Sequence, residues 1–131
     1  MVECYKGQLN AEAAINYKKA MLKDRDYDPA YNIITDLREI EVNINPGNLH
    51  HITDFFDFLK NTPVKRKVAL ITDKPSQTVL AHFFKELGSE TIIHYDVFCT
   101  VEAAVGYVGL TKNELILIEE TLQHLSRNTS T

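Results

Sequence analysis

The feature that most constrains the fold of this chain is the alternation of short apolar, β-branched runs with segments of helical periodicity. The apolar runs predict four strands, at residues 2–9, 31–42, 67–72 and 92–99. Apolar residues spaced three or four apart predict helices over residues 11–22, 49–59, 75–88 and 101–108, and a fifth that begins after Thr111. The order βαβαβαβαα predicts an α/β fold, a single layer of about four mainly parallel strands covered by helices, with right-handed crossovers.

Residues with strong capping preferences mark the ends of the predicted helices. Asn10 and Thr100 are suited to accept a backbone N–H bond at the start of the first and fourth helices. Thr111 and Glu114 have the spacing of a capping box, in which each side chain bonds the backbone N–H of the other. Gly88 is predicted to end the third helix in the left-handed conformation.

Length and charge limit the number of domains and the partners. The chain has 131 residues, and we predict one domain over residues 1–126, followed by a polar tail at 127–131 that frays. It carries 18 acidic and 14 basic residues, so it offers no positive field to a nucleic acid. The tight basic run at residues 65–67 is interpreted as the solvated entrance to the third strand. No nucleic-acid partner is therefore predicted.

The cysteines and the apolar segments indicate a compartment. Cys4 and Cys99 are too few and too far apart for a disulfide framework or a zinc site, which favours a reducing environment. The first residues lack the basic and apolar segments of a signal peptide, and the apolar runs are too short to span a bilayer. We therefore expect a cytoplasmic protein without a membrane span.

Two of the predicted strands lead into the same ending, a Thr-Asp pair followed closely by a basic residue. Asp36 precedes Arg38, and Asp73 precedes Lys74. Because the carboxyl ends of parallel strands meet at one edge of an open α/β sheet, we expect Asp36 and Asp73 at the same edge, where such folds bind ligands. These four residues are candidate ligand-binding residues. The alternative is structural: Asp73 caps the third helix, and Asp36 pairs with Arg38 or Lys74.

Two hydroxyl groups extend this candidate site. Ser76 and Thr78 lie in the first turn of the third predicted helix, where unpaired N–H groups and the helix dipole favour a phosphate or a carboxylate. No glycine-rich loop precedes them, which argues against a nucleotide. The alternative is that both hydroxyls form local caps.

Residues that could support catalysis or bind a metal are scattered along the chain. Cys99 precedes the fourth helix, whose amino terminus would favour a reactive thiolate, and the alternative is a buried core thiol. His50, Asp54 and Asp57 share a helix face and could contact a divalent metal, although such faces are usually only solvated. Because the sequence places no histidine beside Cys99, we assign no catalytic residue. We also assign no metal site and no cofactor.

Three blocks, in order along the chain, carry a family resemblance. They are Tyr27-Asp28-Pro29-Ala30-Tyr31 before Thr35-Asp36-Leu37-Arg38, then Ala69-Leu70-Ile71-Thr72-Asp73-Lys74-Pro75-Ser76-Gln77-Thr78, and then Val97-Phe98-Cys99-Thr100-Val101-Glu102-Ala103-Ala104. Together they resemble the STAS family, the anti-sigma-factor-antagonist fold, and in particular its stand-alone bacterial SpoIIAA-like branch.

The resemblance implies a regulatory protein that binds a ligand or a partner without catalysis. Phosphoswitch members carry an Asp-Ser-Ser-Gly-like turn at the start of the helix after the central strand. The turn here is Asn45-Pro46-Gly47-Asn48-Leu49, which has no serine or threonine, so the usual phosphoserine switch is not predicted. The stretch 43–48 is predicted to be the longest irregular connection.

The first functional hypothesis is therefore a non-catalytic regulatory or ligand- or partner-binding protein. The second is a small hydrolase or transferase that uses Cys99, or Asp36 and Asp73 beside a basic residue. The third, implied by the kinship of the family with lipid carriers, is a carrier of a small apolar ligand. We expect a protein partner or a homodimer through the open edge of the first strand or through the fifth helix, and a small anionic or apolar ligand.

Overall fold

The computed structural model describes residues 1–23, 31–42, 45–61 and 65–128, and within these ranges it confirms the predicted α/β fold. The strands are β1 (Val2–Gln8), β2 (Ile33–Glu41), β3 (Arg66–Ile71) and β4 (Ile93–Phe98). The helices are α1 (Ala11–Leu22), α2 (Pro46–Lys60), α3 (Pro75–Gly88), α4 (Val101–Tyr107) and α5 (Lys112–Asn128). Their order along the chain is the predicted βαβαβαβαα.

The sheet is parallel throughout, and its strands lie side by side in chain order, β1-β2-β3-β4. Because right-handed crossovers that step in one direction place their helices on one face, α1, α2 and α3 cover the same face. The core on that face includes Ile15, Leu37, Ile52, Phe56 and Leu70. Helices α4 and α5 cover the opposite face, where a second core includes Ile34, Ala69, Ile71, Val105 and Leu122.

Strand β2 runs past Asp36 to Glu41, within the predicted range of 31–42. Asp36 is the last residue of β2 that pairs with β3, opposite Ile71. Beyond it, β2 stays paired with β1 across an irregularity, because Cys4 pairs with Asp36 but Lys6 pairs with Glu39. The Thr-Asp pattern therefore marks the end of one ladder of hydrogen bonds and not the end of the strand.

The predicted caps at the starts of the first, fourth and fifth helices are confirmed. The side chains of Asn10 and Thr100 each accept a hydrogen bond from the backbone N–H three residues later, at 3.0 and 3.2 Å. Thr111 and Glu114 form the capping box: the Thr111 N–H donates to Glu114 Oε1 at 3.2 Å, and the Glu114 N–H donates to Thr111 Oγ1 at 3.4 Å. These contacts fix the starts of α1, α4 and α5.

The start of α2 was predicted wrongly. The helix begins at Pro46, and the Asn45 side chain accepts a hydrogen bond from the Asn48 N–H at 2.8 Å. Residues 46–48 are thus helical instead of irregular, and residues 43 and 44 lie outside the described residues. A proline at the first helical position, after an asparagine cap, explains the earlier start.

The role predicted for Gly88 was also wrong. Gly88 is the last helical residue of α3, and its φ is not positive. Instead, the ring of Tyr95 on β4 packs against it, so that a Cβ at this position would lie 2.5 Å from Tyr95 Cδ2. Glycine is required here for a close approach between a helix and a strand.

The carboxyl-terminal helix α5 extends to Asn128, two residues into the predicted tail, whereas residues 129–131 lie outside the described residues. Among the helices of the described ranges, none has both the length and the apolar character needed to cross a membrane.

Candidate functional site

Four of the residues predicted from the sequence line one cleft: Asp36, Arg38, Asp73 and Cys99. The cleft has a volume of about 700 Å³ and lies between the sheet and the helices α4 and α5. The predicted proximity of the two aspartates is therefore correct, although Lys74, Ser76 and Thr78 are not among the lining residues.

The strand order at this edge of the sheet differs from the order found where open α/β sheets bind ligands. Ligands bind to open α/β sheets at the point where the strand order reverses and adjacent crossovers go to opposite faces. The order β1-β2-β3-β4 contains no such reversal within the described residues. The cleft is therefore not a switch-point crevice but a gap between strand ends and the two covering helices.

The Asp36 carboxylate is buried and saturated with hydrogen bonds. Arg38 donates from Nε to Oδ1 at 2.9 Å, from Nη2 to Oδ2 at 2.8 Å and from its backbone N–H to Oδ1 at 3.0 Å. The hydrogen bonds that Arg38 donates to Asp36 raise the pKa of the Arg38 guanidinium above its usual value, against the opposing effect of burial. Asp36 thus pairs with Arg38, which was the structural alternative to a ligand-binding role.

Most of the charged side chains that line the cleft are acidic. Glu39, Glu102 and Glu119 line it together with the two aspartates, whereas Arg38 is the basic residue among its lining. An excess of carboxylates opposes the binding of an anion by Coulomb repulsion. The small anionic ligand that the sequence allowed is therefore not favoured at this place.

Gln77, which the sequence did not single out, organises the start of α3. Its side chain is fully buried, and its Nε2 donates to the carbonyl groups of Arg38 and Ile40 at 2.9 and 3.1 Å. Its Oε1 accepts from the N–H groups of Asp73 and Lys74 at 3.0 and 3.2 Å. Gln77, and not the Asp73 side chain as the alternative proposed, thus satisfies the backbone at the start of the helix.

The remaining predicted site residues lie in the first turn of α3 or directly before it. Thr78 Oγ1 lies 2.9 Å from Thr72 Oγ1 and donates to the Lys74 carbonyl at 3.1 Å, so its hydroxyl is used in local hydrogen bonds but does not cap a backbone N–H. Ser76 and Lys74 are exposed on the first turn. Lys74, Ser76 and Thr78 therefore lie outside the cleft.

Cys99 is exposed, so the alternative of a buried core thiol is wrong. No histidine is among the described residues that line the cleft beside it. The helix face that was considered for a metal carries ion pairs, because His50 Nε2 lies 3.2 Å from Asp54 and Asp57 pairs with Lys60. Over the described ranges, no group of three or more His, Cys, Asp and Glu side chains is arranged to hold a metal ion.

The sequence did not predict the second concave feature, a cavity of about 390 Å³ between α1, α2 and the sheet. Its walls are mainly apolar, with Ile15 on α1, Ile52 and Phe56 on α2, and Leu37 and Leu70 on the sheet among the lining residues. The exposed residues Gln8, Asn10, Ala13 and Tyr17 also line it, so it opens to solvent beside α1.

One side of this cavity carries a polar cluster around Glu3. Glu3 is 8% exposed, and its carboxylate accepts hydrogen bonds from Lys18 Nζ at 2.8 and 3.1 Å. The hydroxyl groups of Thr35 and Tyr5 donate to Glu3 Oε2 at 3.2 and 3.3 Å. Burial raises the pKa of the Tyr5 phenol far above its usual value, and the negative charge of Glu3 adds to the effect. The cavity therefore combines mainly apolar walls with a hydrogen-bonded carboxylate, and the buried Arg66 also lines it.

The size of the cavity is large on the scale of protein interiors. An apolar cavity of about 150 Å³ is already enough to bind benzene. The volume of about 390 Å³ exceeds this value, and the cavity has an open mouth.

Comparison of the chain with protein-family models, with curated proteins and with solved structures finds no match.

Proposed function

We propose that this protein is a non-catalytic binding domain that holds a small, largely apolar molecule in the cavity between α1 and the sheet. The observation that carries this proposal is the cavity itself. Its volume of about 390 Å³ falls within the range of about 300–1,000 Å³ typical of ligand pockets. Its walls are mainly apolar, and they include a small polar cluster in which Lys18, Thr35 and Tyr5 bond Glu3, as is common in sites that bind small molecules.

The proposal includes a regulatory role of the kind that the STAS resemblance implies. Such a role requires that ligand binding change a surface that a partner recognises. Helix α1 forms one wall of the cavity while its outer residues, such as Asn16 and Ala20, are exposed, so a change in the cavity can alter the surface directly. The Asn45 cap of α2 stands where a phosphorylated residue would be expected, which supports control by a ligand instead of a phosphoserine.

The experiment that tests this function is a titration with straight-chain alcohols of increasing length, followed by calorimetry. If the cavity binds the chain, affinity should rise about fourfold with each added methylene, because burying one contributes about 0.8 kcal/mol. The rise should stop at the length that fills the cavity. An affinity that does not depend on chain length would contradict the proposal.

A matched pair of variants locates the binding. Ala14 on α1 lines the cavity, whereas Ala20 on the same helix is exposed and does not line it. Ala14→Leu should shorten the longest well-bound alcohol by about three carbons, because leucine places about that volume in the cavity. Ala20→Leu should leave the series unchanged. Equal effects of the two variants would place the binding elsewhere.

A further inference from the structure

We propose that the ion pair between Lys18 of α1 and Glu3 of β1 is a latch that holds α1 over the cavity, so that a bound molecule enters and leaves by movement of this helix. This inference rests on the proposed function, because it assigns how the same cavity is opened and closed.

Helix α1 is placed to act as a movable wall. Ile15 and Lys18 on its inner side face Leu37 and Leu70 of the sheet across the cavity. The helix packs chiefly against α2, and the cavity occupies the space that direct packing on the sheet would fill. Ala11 and Ile15 of α1 are buried, but the cavity leaves part of this face of the helix without partner atoms, so α1 is held less firmly than a fully packed helix.

The ion pair joins this wall to the sheet. Lys18 Nζ lies 2.8 Å from Glu3 Oε2 and 3.1 Å from Oε1, a charge-assisted contact with both carboxylate oxygens. The Lys18 side chain is 27% exposed and the Glu3 side chain 7%. Release of the pair would therefore return the ammonium group to water while the carboxylate stays in the wall.

The Glu3 carboxylate has hydrogen-bond partners besides Lys18. Its other partners, Thr35 and Tyr5, belong to the sheet and do not move with α1. Glu3 would keep two hydroxyl donors in the open state, which limits the penalty of leaving a buried charge without its counterion. An ion pair whose acid is held on the sheet and whose base is carried by the movable helix can open and close repeatedly.

The opposite end of α1 is tied down and provides a pivot. The Asn48 side chain on α2 donates to the Leu9 carbonyl at 3.3 Å and accepts from the Ala11 N–H at 3.2 Å. Lys18 lies seven residues after Ala11, about 10 Å along the helix at about 1.5 Å per residue. A small rotation about the Asn48 contact would thus separate Lys18 from Glu3 and widen the mouth of the cavity.

Amide hydrogen exchange of the unliganded full chain tests the latch without any ligand. Lys18→Met should speed exchange of the α1 amides by about tenfold, corresponding to about 1.4 kcal/mol, and leave α3 unchanged. Lys19→Met is the matched control, because the Lys19 ammonium lies 5.4 Å from the centre of the Phe58 ring on α2 and not at the sheet. Lys18→Arg keeps the charge and should restore slow exchange.

A second readout uses decanol as the probe. The latch predicts that Lys18→Met releases decanol about tenfold faster than the wild type, in proportion to the opening of α1. If Lys18→Met does not fold, Glu3→Gln removes the same charge pair and keeps a hydrogen-bonding side chain of equal size. Failure of the wild type to bind decanol would overturn the proposed function. Unchanged α1 exchange in the folded variants would overturn the latch alone.

Discussion

The hydroxyl group of Tyr5 donates a hydrogen bond to the carboxylate of Glu3 across 3.3 Å, in the wall of the cavity. Burial, together with the charge of Glu3, raises the pKa of this phenol in the folded state. A group with a raised folded-state pKa stabilises the fold fully below its unfolded value, about 10 for tyrosine, and less as the pH rises beyond it.

We therefore predict that the free energy of unfolding falls above about pH 10 partly because the unfolded state releases the Tyr5 proton more easily. Tyr5→Phe should make the stability less dependent on pH in this range, as measured by denaturant unfolding at several pH values. Tyr31→Phe removes an exposed phenol and serves as the control. The assignment is wrong if Tyr5 ionises together with the exposed tyrosines in a spectrophotometric titration of the folded protein.

The contact between Gly88 and Tyr95 gives a second prediction. An alanine Cβ at position 88 would lie 2.5 Å from the Tyr95 ring, so Gly88→Ala should destabilise the protein by about 1–3 kcal/mol through overpacking. At Gly106 in α4 nothing lies within 4 Å of an added Cβ. Gly106→Ala should therefore stabilise by about 0.5–1 kcal/mol through helix propensity alone. Thermal unfolding of both variants compares the two effects, and an equal gain at both positions would refute the close packing.

The four hydrogen bonds of Gln77 give a third prediction. Gln77→Met keeps a similar shape but leaves the carbonyl groups of Arg38 and Ile40 without this donor, so a loss of about 2–4 kcal/mol is expected. Gln123 on α5 is exposed, and Gln123→Met should change stability by less than about 0.5 kcal/mol. Chemical denaturation measures both, and a Gln77→Met protein as stable as the wild type would contradict the role of this side chain.

The order of strands and helices could be predicted because each element carries its own periodicity and its own caps. Gly88 shows the limit of this approach. A glycine at the end of a helix is typical of a left-handed cap, and only the long-range contact with Tyr95 reveals a different reason for it. Gln77 is similar, because its partners on β2 lie 37 and 39 residues earlier in the chain.

The sequence predicted one part of the candidate site and missed another. The proximity of Asp36 and Asp73 follows from the parallel sheet, and the structure places both in one cleft. The cavity could not be predicted, because Ile15, Ile52 and Leu70 have the pattern of an ordinary filled core. Whether such residues meet or leave a void depends on the distance between α1 and the sheet, which no local pattern encodes. The pairing of Glu3 with Lys18 across that gap is equally non-local.

The central claim is that the space between α1 and the sheet holds an apolar molecule, and a crystal of the protein under xenon pressure tests it most directly. Xenon enters apolar cavities that water leaves empty. The account predicts electron density for xenon, or for a molecule retained from the cell, beside Ile15, Phe56 and Leu70. A helix α1 packed directly on the sheet, with neither xenon nor a retained molecule beneath it, would contradict the account.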